Sequence, residues 1–338
     1  MINNKINQIL QKLNWEPLFK IKAGPVLFVL TAFTMFSFIV FYIFNTYKII
    51  VNTDITGYLL FAREILETGS YFPKTFAYGE GVPIFSYHTL AIVFYYITGN
   101  LFLTHNLVMF SVLLTILSLL YLALRKAQLE RTSIIILISI IASGISRYIT
   151  QFVFGDGGYG YLFLNSILLL YLVFSILGQG EPVKIRISRK RQIGYYLLFF
   201  IVVGINILND YTRALVFLAF PTLAALIVYS YFEKSSNRTR KQALKLILLL
   251  LFSTFIAFQT QFLFKSIFGI SNTINYSLAE PNAAGWDAIK RNFEFYIQGH
   301  LFIFDAIPTG KIKSFQGVIS AARLFLLLGL YCLPFYLV

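Results

Sequence analysis

The chain has 338 residues, 58% of them hydrophobic and 12% charged, with a mean hydropathy of +0.73. Too few polar residues are present to cover a soluble globule, so a water-soluble fold is excluded. The repeated apolar runs of 17 to 22 residues read instead as bilayer spans of about 20 residues each. The net charge of +14 does not point to nucleic acid, because nearly all of the excess falls in loops on one side of those spans. One cysteine, Cys332, sits in an apolar run and the three histidines are dispersed, which leaves no disulfide framework and no thiolate or histidine-rich metal site.

Residues 1–24 carry Lys5, Lys12, Lys20 and Lys22 against Glu16, with Ile6, Ile9, Leu10, Leu13 and Leu18 at roughly helical spacing. This pattern predicts an amphipathic helix on the cytoplasmic surface rather than a cleavable signal. A first span follows at about 25–47, its basic flank holding its start inside. The chain then enters a first outer loop, residues 48–101. There Ile55, Tyr58, Leu59, Ala62, Ile65 and Leu66 share one helical face, Gly69 supplies a stop and Pro73 follows. An amphipathic helix on the outer interface is expected, with Asp54 immediately before it.

Residues 84–99 are apolar but short and contain His88. If they crossed the bilayer, every later basic loop would be inverted, so they are read as interfacial or re-entrant. Further spans are expected at about 102–124, 132–149, 159–178, 194–208, 214–232, 244–264 and 324–338. A second large outer loop, residues 265–323, has turn signals at Pro281, Gly285 and Pro308 and a short helical stretch at 286–297. The last apolar run stops at Val338 without a charged flank, and a longer natural chain is expected.

This arrangement puts 17 basic and four acidic residues inside, against 11 basic and 10 acidic residues outside, a split of +13 to +1. The positive-inside rule demands such an asymmetry. The expected fold is thus all-α: one polytopic helical bundle of eight or nine spans, with interfacial helices in the first outer loop. The expected location is a bacterial or archaeal plasma membrane, with the N-terminus cytoplasmic.

Chemistry is sought on the outer face. Asp54 is either a helix cap, accepting a backbone N–H bond, or a general base or metal ligand at the membrane surface. The glycine-rich turn from Arg147 to Gly160, which includes Asp156, either binds a ligand through its backbone or simply connects two spans. Asp210 and Arg213 lie in a very short turn, where they either pair with each other or Arg213 faces a phosphate. His88 is either an acid–base group or one more interfacial ring.

The run D-x-x-G-Y-x-x-x-A-R-x-I-L-x-x-G, from Asp54 through Gly57, Tyr58, Ala62, Arg63, Ile65 and Leu66 to Gly69, precedes G-x-P-x-F-S-x-H, formed by Gly81, Pro83, Phe85, Ser86 and His88. Placed after a first span, this pattern resembles the polyprenyl-phosphate-dependent membrane glycosyltransferases of GT-C fold, which include protein mannosyltransferases and aminoarabinose transferases. The resemblance covers about 75 residues, and elsewhere only the multi-span layout. It implies a sugar carried on a polyprenyl phosphate in the membrane lipid and a glycan, lipid or protein acceptor in the cell envelope, with Asp54 as the acid that activates the acceptor. Arg63, His88, Arg147, Asp156 and Arg213 are the candidates for binding donor phosphate or substrate. Basic groups or a divalent cation, magnesium or manganese, steady the departing phosphate in that chemistry. Many members have an acidic pair after the first span where this chain has Thr53-Asp54, and that leaves the metal open.

Two other classes fit the layout. A transporter or flippase needs polar or broken helices at mid-membrane, for which Gly144, Gly204, Asn165, Asn206, Gln259 and Gln261 are the candidates. A polysaccharide polymerase or ligase would use the late outer loop, through Arg291, His300 or Arg323.

Overall fold

The computed structural model describes residues 30, 33–34, 36–46, 53–76, 78, 81–142, 157–177, 188–232 and 237–270, and scattered positions between 286 and 328. The described residues are helical with no strand, and five helices are long and apolar enough to cross a membrane. In chain order the elements are α1 (Phe36–Asn45), α2 (Thr53–Thr68), α3 (Tyr87–Thr98), α4 (Leu101–Lys126) and α5 (Arg131–Ala142). They are followed by α6 (Gly157–Leu177), α7 (Arg189–Asn209), α8 (Tyr211–Phe232) and α9 (Asn237–Phe268). The five long helices are α4, α6, α7, α8 and α9. The expected first span is described in part, as α1, and the expected span at 132–149 as α5. Most of the expected last span, and Cys332, lie outside the described residues.

Apolar periodicity builds two cores that share one wall. In the first, Ile39 and Ile43 of α1, Ile55, Leu59 and Ala62 of α2, and Tyr87 and Ala91 of α3 close over Val108, Met109, Val112, Leu113 and Ile116 of α4. In the second, α6, α7, α8 and α9 meet around Leu169, Leu172, Phe199, Val203, Leu218 and Leu246. Helix α6 serves both, with Ile167 turned to the first and Leu162, Leu169 and Leu172 to the second. Small residues let α7 and α9 approach: the Ser253 hydroxyl donates to the Phe200 carbonyl at 2.7 Å, beside Gly204.

Polar side chains in the apolar helices turn their hydrogen bonds inward. Thr34, Ser37, Ser111, Thr115, Ser139, Ser166 and Thr260 each donate to the carbonyl four residues back. A hydroxyl facing hydrocarbon would otherwise lack a partner. Helix α8 contains Pro221, whose ring crowds the carbonyl four residues earlier, Phe217. The wide π-helical turn Leu215–Ala219 opens the backbone there, so the helix continues through the proline.

Helix α3 has 12 residues, about 18 Å, which is shorter than a hydrocarbon core of about 30 Å. Gly99, with φ of +60°, and Asn100, whose side chain accepts from the Leu103 N–H at 3.0 Å, join it to α4. Thr98 meets Thr104 at 2.9 Å, and the Tyr87 hydroxyl meets His105 Nδ1. Both ends of α3 therefore reach the start of α4.

Three details differ from the sequence expectations. Helix α2 already includes Thr53 and Asp54, so Asp54 lies in its first turn rather than before it. Helix α9 runs on through Lys265 to Phe268, beyond the expected end of that span, because Thr260 satisfies its hydroxyl on its own helix and Gln261 is buried. Helix α7 begins at Arg189, five residues before the expected span.

The basic residues Arg125, Lys126, Arg131, Arg189, Lys190, Arg191, Lys241 and Lys245 gather at one end of the bundle, where α4 and α8 finish and α5, α7 and α9 begin. The opposite end holds α2, α3 and the starts of α6 and α8. It also carries the loop 69–86, packed as a cluster of Phe61, Phe72, Phe76, Tyr78 and Val82 against Phe264 and Ile270.

That loop is tied down at one crowded point. A Cβ on Gly81 would collide with the backbone carbonyl of Asn209. Gly81→Ala is therefore expected to destabilise the protein by about 1–3 kcal/mol, the usual penalty for overpacking. Gly57→Ala, which meets open space on α2, should be neutral or stabilising by up to about 1 kcal/mol. Thermal unfolding in detergent of both variants checks the pair.

Candidate functional site

The site begins where α7 stops. Asp210 adopts extended backbone, φ −160° and ψ 93°, before the chain re-enters helix at Tyr211. This break frees the last carbonyls of α7, which a continuous helix would have bonded. The loop supplies the missing donors: the Val82 N–H reaches the Leu208 carbonyl at 2.8 Å. The Asn209 side chain completes the joint. Its Oδ1 accepts from the Ile84 N–H at 2.7 Å and its Nδ2 donates to the Phe85 carbonyl at 2.7 Å.

Docking the loop in this way closes a cavity of about 50 Å³, lined by Tyr58 of α2, Pro83 and Ser86 of the loop, Gly158, Tyr161 and Leu162 of α6, Asn206 and Asn209 of α7, and Asp210 and Arg213. Room for water centres of that size corresponds to about four waters, enough for a phosphate-sized group and too little for a hexose. Asp210 Oδ1 accepts from the Arg213 N–H at 3.0 Å, capping the new helix, while Oδ2 lies 3.4 Å from Arg213 Nε. The Arg213 guanidinium also stacks 4.7 Å over the Tyr159 ring. The carboxylate and the ring thus hold a half-buried guanidinium in one place. Of the two sequence readings of this turn, the pairing of Asp210 with Arg213 is seen directly, and both residues line the cavity. Below it, Asn165 Nδ2 donates to Asn206 Oδ1 at 3.0 Å and Asn206 Nδ2 to the Val202 carbonyl at 2.7 Å.

The other sequence candidates are distributed unevenly. Asp54 lies in the first turn of α2, one turn before cavity-lining Tyr58 and so about 6 Å along the axis. Arg63 is not in the cavity; it is exposed and paired with Glu67 at 2.6 Å. Arg147 and Asp156 lie outside the described residues, as does His300; Arg291 and Arg323 are on described segments beyond α9.

His88 stands directly behind the cavity wall, fully buried. The Tyr71 hydroxyl donates to the Ile84 carbonyl, which can only accept, so His88 Nε2–H must donate to Tyr71 at 3.0 Å. His88 Nδ1 then accepts from the Ser86 hydroxyl at 2.8 Å. Phe61 packs edge-on against the ring at 4.9 Å. Both nitrogens are engaged within the loop, so in this arrangement His88 positions Ser86 and Tyr71. Burial pushes its pKa down to about 4, holding the ring neutral, and pushes the nearby Tyr78 hydroxyl up to about 12.

Sequence reasoning gave no role to Asn209 or Tyr161, and noted Tyr58 for its helical face and its place in the run around Asp54 without making it a site residue. The one local signal for Asn209 was its position at a break between two spans. Among the described residues no three of His, Cys, Asp or Glu gather to hold a metal ion, and the carboxylate lining the cavity, Asp210, is committed to Arg213. These residues do not fit a divalent cation site. Comparison with protein-family models, curated proteins and solved structures returned no match.

The His88 network sets a pH dependence. The folded pKa of about 4 lies below the ordinary 6.5, so as pH falls the unfolded chain takes up the proton first. The stabilisation is complete above about pH 6.5, declines between there and about pH 4, and is worth about 3 kcal/mol over that window. Chemical denaturation across this range should show the loss in the wild type and not in His88→Gln. An unchanged pH slope in the variant would contradict the assignment.

Proposed function

We propose that the chain is a membrane glycosyltransferase that moves a sugar from a polyprenyl-phosphate donor to a glycan, lipid or protein acceptor at the outer face. The observation that carries this reading is a polar cavity continued by an apolar groove. Helices α6 and α8 both start at the cavity. Beyond it they diverge around a groove of about 460 Å³, lined by Phe163, Ile167, Leu170, Phe217, Pro221 and Leu226 among others. Phe217 lies one helical turn from Arg213, and Phe163 follows Leu162 directly. A pocket of phosphate size that presents the Arg213 guanidinium at the head of an apolar groove suits the two parts of a lipid phosphate: the guanidinium for the head and the groove for the chain.

In this reading α2 and α3 lie at the outer membrane interface and the basic end of the bundle faces the cytoplasm, as the charge split supports. The sugar extends from the cavity toward the start of α2. The Asp54 carboxylate takes the proton from the acceptor hydroxyl as its oxygen forms a bond to the anomeric carbon. The bond from that carbon to the phosphate oxygen breaks, and the polyprenyl phosphate leaves with the electron pair and a negative charge that Arg213 stabilises.

The test is transfer from radiolabelled polyprenyl-phosphate sugars by membranes containing the protein. Asp54→Asn is expected to lower the rate by about 10²–10⁴-fold at unchanged expression. Arg213→Gln should cost about 10–100-fold in kcat/KM, the worth of a charged hydrogen bond. Wild-type transfer by Asp54→Asn would overturn the role given to that residue, and wild-type kinetics in Arg213→Gln would remove the phosphate site.

A further inference from the structure

A further cleft lies at the opposite, basic end of the bundle. There the first turns of α7 and α9 stand apart around a cavity of about 550 Å³. Arg189 on α7 and Lys241 and Lys245 on α9 line it, together with Gln192, Tyr196 and Gln242. Three cations thus converge on one space, and among the described residues no carboxylate lines it.

A basic helix end alone is what any membrane protein shows on its positive side. Two features set this cleft apart. At the same end Arg125 is directed to its own helix, bonded to the Tyr121 hydroxyl at 3.3 Å and stacked 5.9 Å over that ring, whereas the α7 and α9 cations face each other across a hollow. The same two helices turn apolar beyond the cleft. One turn further in, Leu197 and Leu248 are exposed, and then Phe252, which packs at 6.0 Å on Phe200. Cations, then a tyrosine and amides, then an apolar strip form a gradient along two parallel-sided helices. A soluble anion has no use for the apolar strip.

We infer that the cleft between the starts of α7 and α9 binds an anionic phospholipid, with the headgroup phosphate among Arg189, Lys241 and Lys245 and an acyl chain along Leu197, Leu248 and Phe252. Gln192, Gln242 and Tyr196 supply neutral groups at headgroup depth, where a tyrosine suits the interface. The lipid in this site spans the first turns of α7 and α9. This site is separate from the proposed transfer site, and its test does not depend on that reading.

The purified full chain in neutral detergent is titrated with dioleoyl phosphatidylglycerol, dioleoyl phosphatidylcholine and glycerol phosphate, and binding is read by native mass spectrometry and by the shift in Tm. Phosphatidylglycerol is expected to remain bound and raise Tm, with the other two doing neither. Replacing Arg189, Lys241 and Lys245 together by Gln should weaken phosphatidylglycerol binding about 10–100-fold, at roughly a few-fold for each basic residue. Replacing Arg125, Lys126 and Arg131 together by Gln removes the same charge from the same end and should leave binding nearly unchanged. Equal losses in the two triple variants would overturn the inference in favour of a diffuse basic surface. Protection by glycerol phosphate alone would overturn it in favour of a soluble anion, and equal binding of phosphatidylcholine would remove the headgroup contact. The comparison of the three ligands on the wild-type protein stands even if a variant fails to fold.

Discussion

The structure depends on the hydrogen bonds between the loop 81–85 and the end of α7. Helix α7 has to stop at Asp210 for α8 to start, and stopping exposes carbonyls that need donors in a place where water is scarce. Val82 provides one donor to Leu208, and the Asn209 side chain takes up the backbone of Ile84 and Phe85 on both its polar atoms. Gly81 permits the approach because any Cβ would occupy the space of the Asn209 carbonyl. The joint satisfies a helix terminus and a loop backbone together, and in doing so brings Ser86 and Tyr58 over Asp210 and Arg213. The cavity follows from the way two halves of the chain resolve their unpaired backbone groups.

The same economy governs the surroundings. His88 is buried where a charged ring would be costly, and its neighbours accept and donate so that only the neutral form fits. The ring ties Tyr71, Ser86 and Ile84 into one unit, while Phe61, Phe72, Phe76 and Tyr78 anchor that unit to α2 and α9. Arg213, held by Asp210 and Tyr159, therefore faces a wall tied down by these contacts. A preorganised cation of this kind is positioned to stabilise a charge that develops on a leaving group, because little reorganisation is needed when the charge appears.

The all-helical, multi-span architecture was legible in the sequence because it rests on local quantities: apolar runs, helical periodicity, and glycine at helix ends. The buried face of α2 shows this well, since Ile55, Leu59, Ala62 and Ile65 are buried as their spacing required. What depends on distant partners was not legible. Asn209 meets Ile84 across 125 positions, and nothing near it in sequence records the contact. His88 looked like one ring among many, because only the tertiary arrangement brings Tyr71 and Ser86 to its two nitrogens. Arg63 falls within the recognisable run around Asp54, yet it sits on the outer face of α2 and pairs with Glu67, since a motif does not specify which face of a helix turns inward. The Arg213 turn was correctly located, while its neighbours from α2 and α6 were invisible without the fold.

The central claim is that the cavity at Arg213 and the groove between α6 and α8 form one site for a lipid phosphate. Photolabelling with a polyprenyl phosphate carrying a diazirine in its first isoprene units tests this most directly. The account predicts labelled peptides from α6 between Phe163 and Leu177 and from α8 between Phe217 and Tyr229, with labelling competed by unlabelled polyprenyl phosphate and lost in Arg213→Gln. Label distributed over the lipid-facing helices, or concentrated at α6 and α8 but indifferent to Arg213, would contradict it.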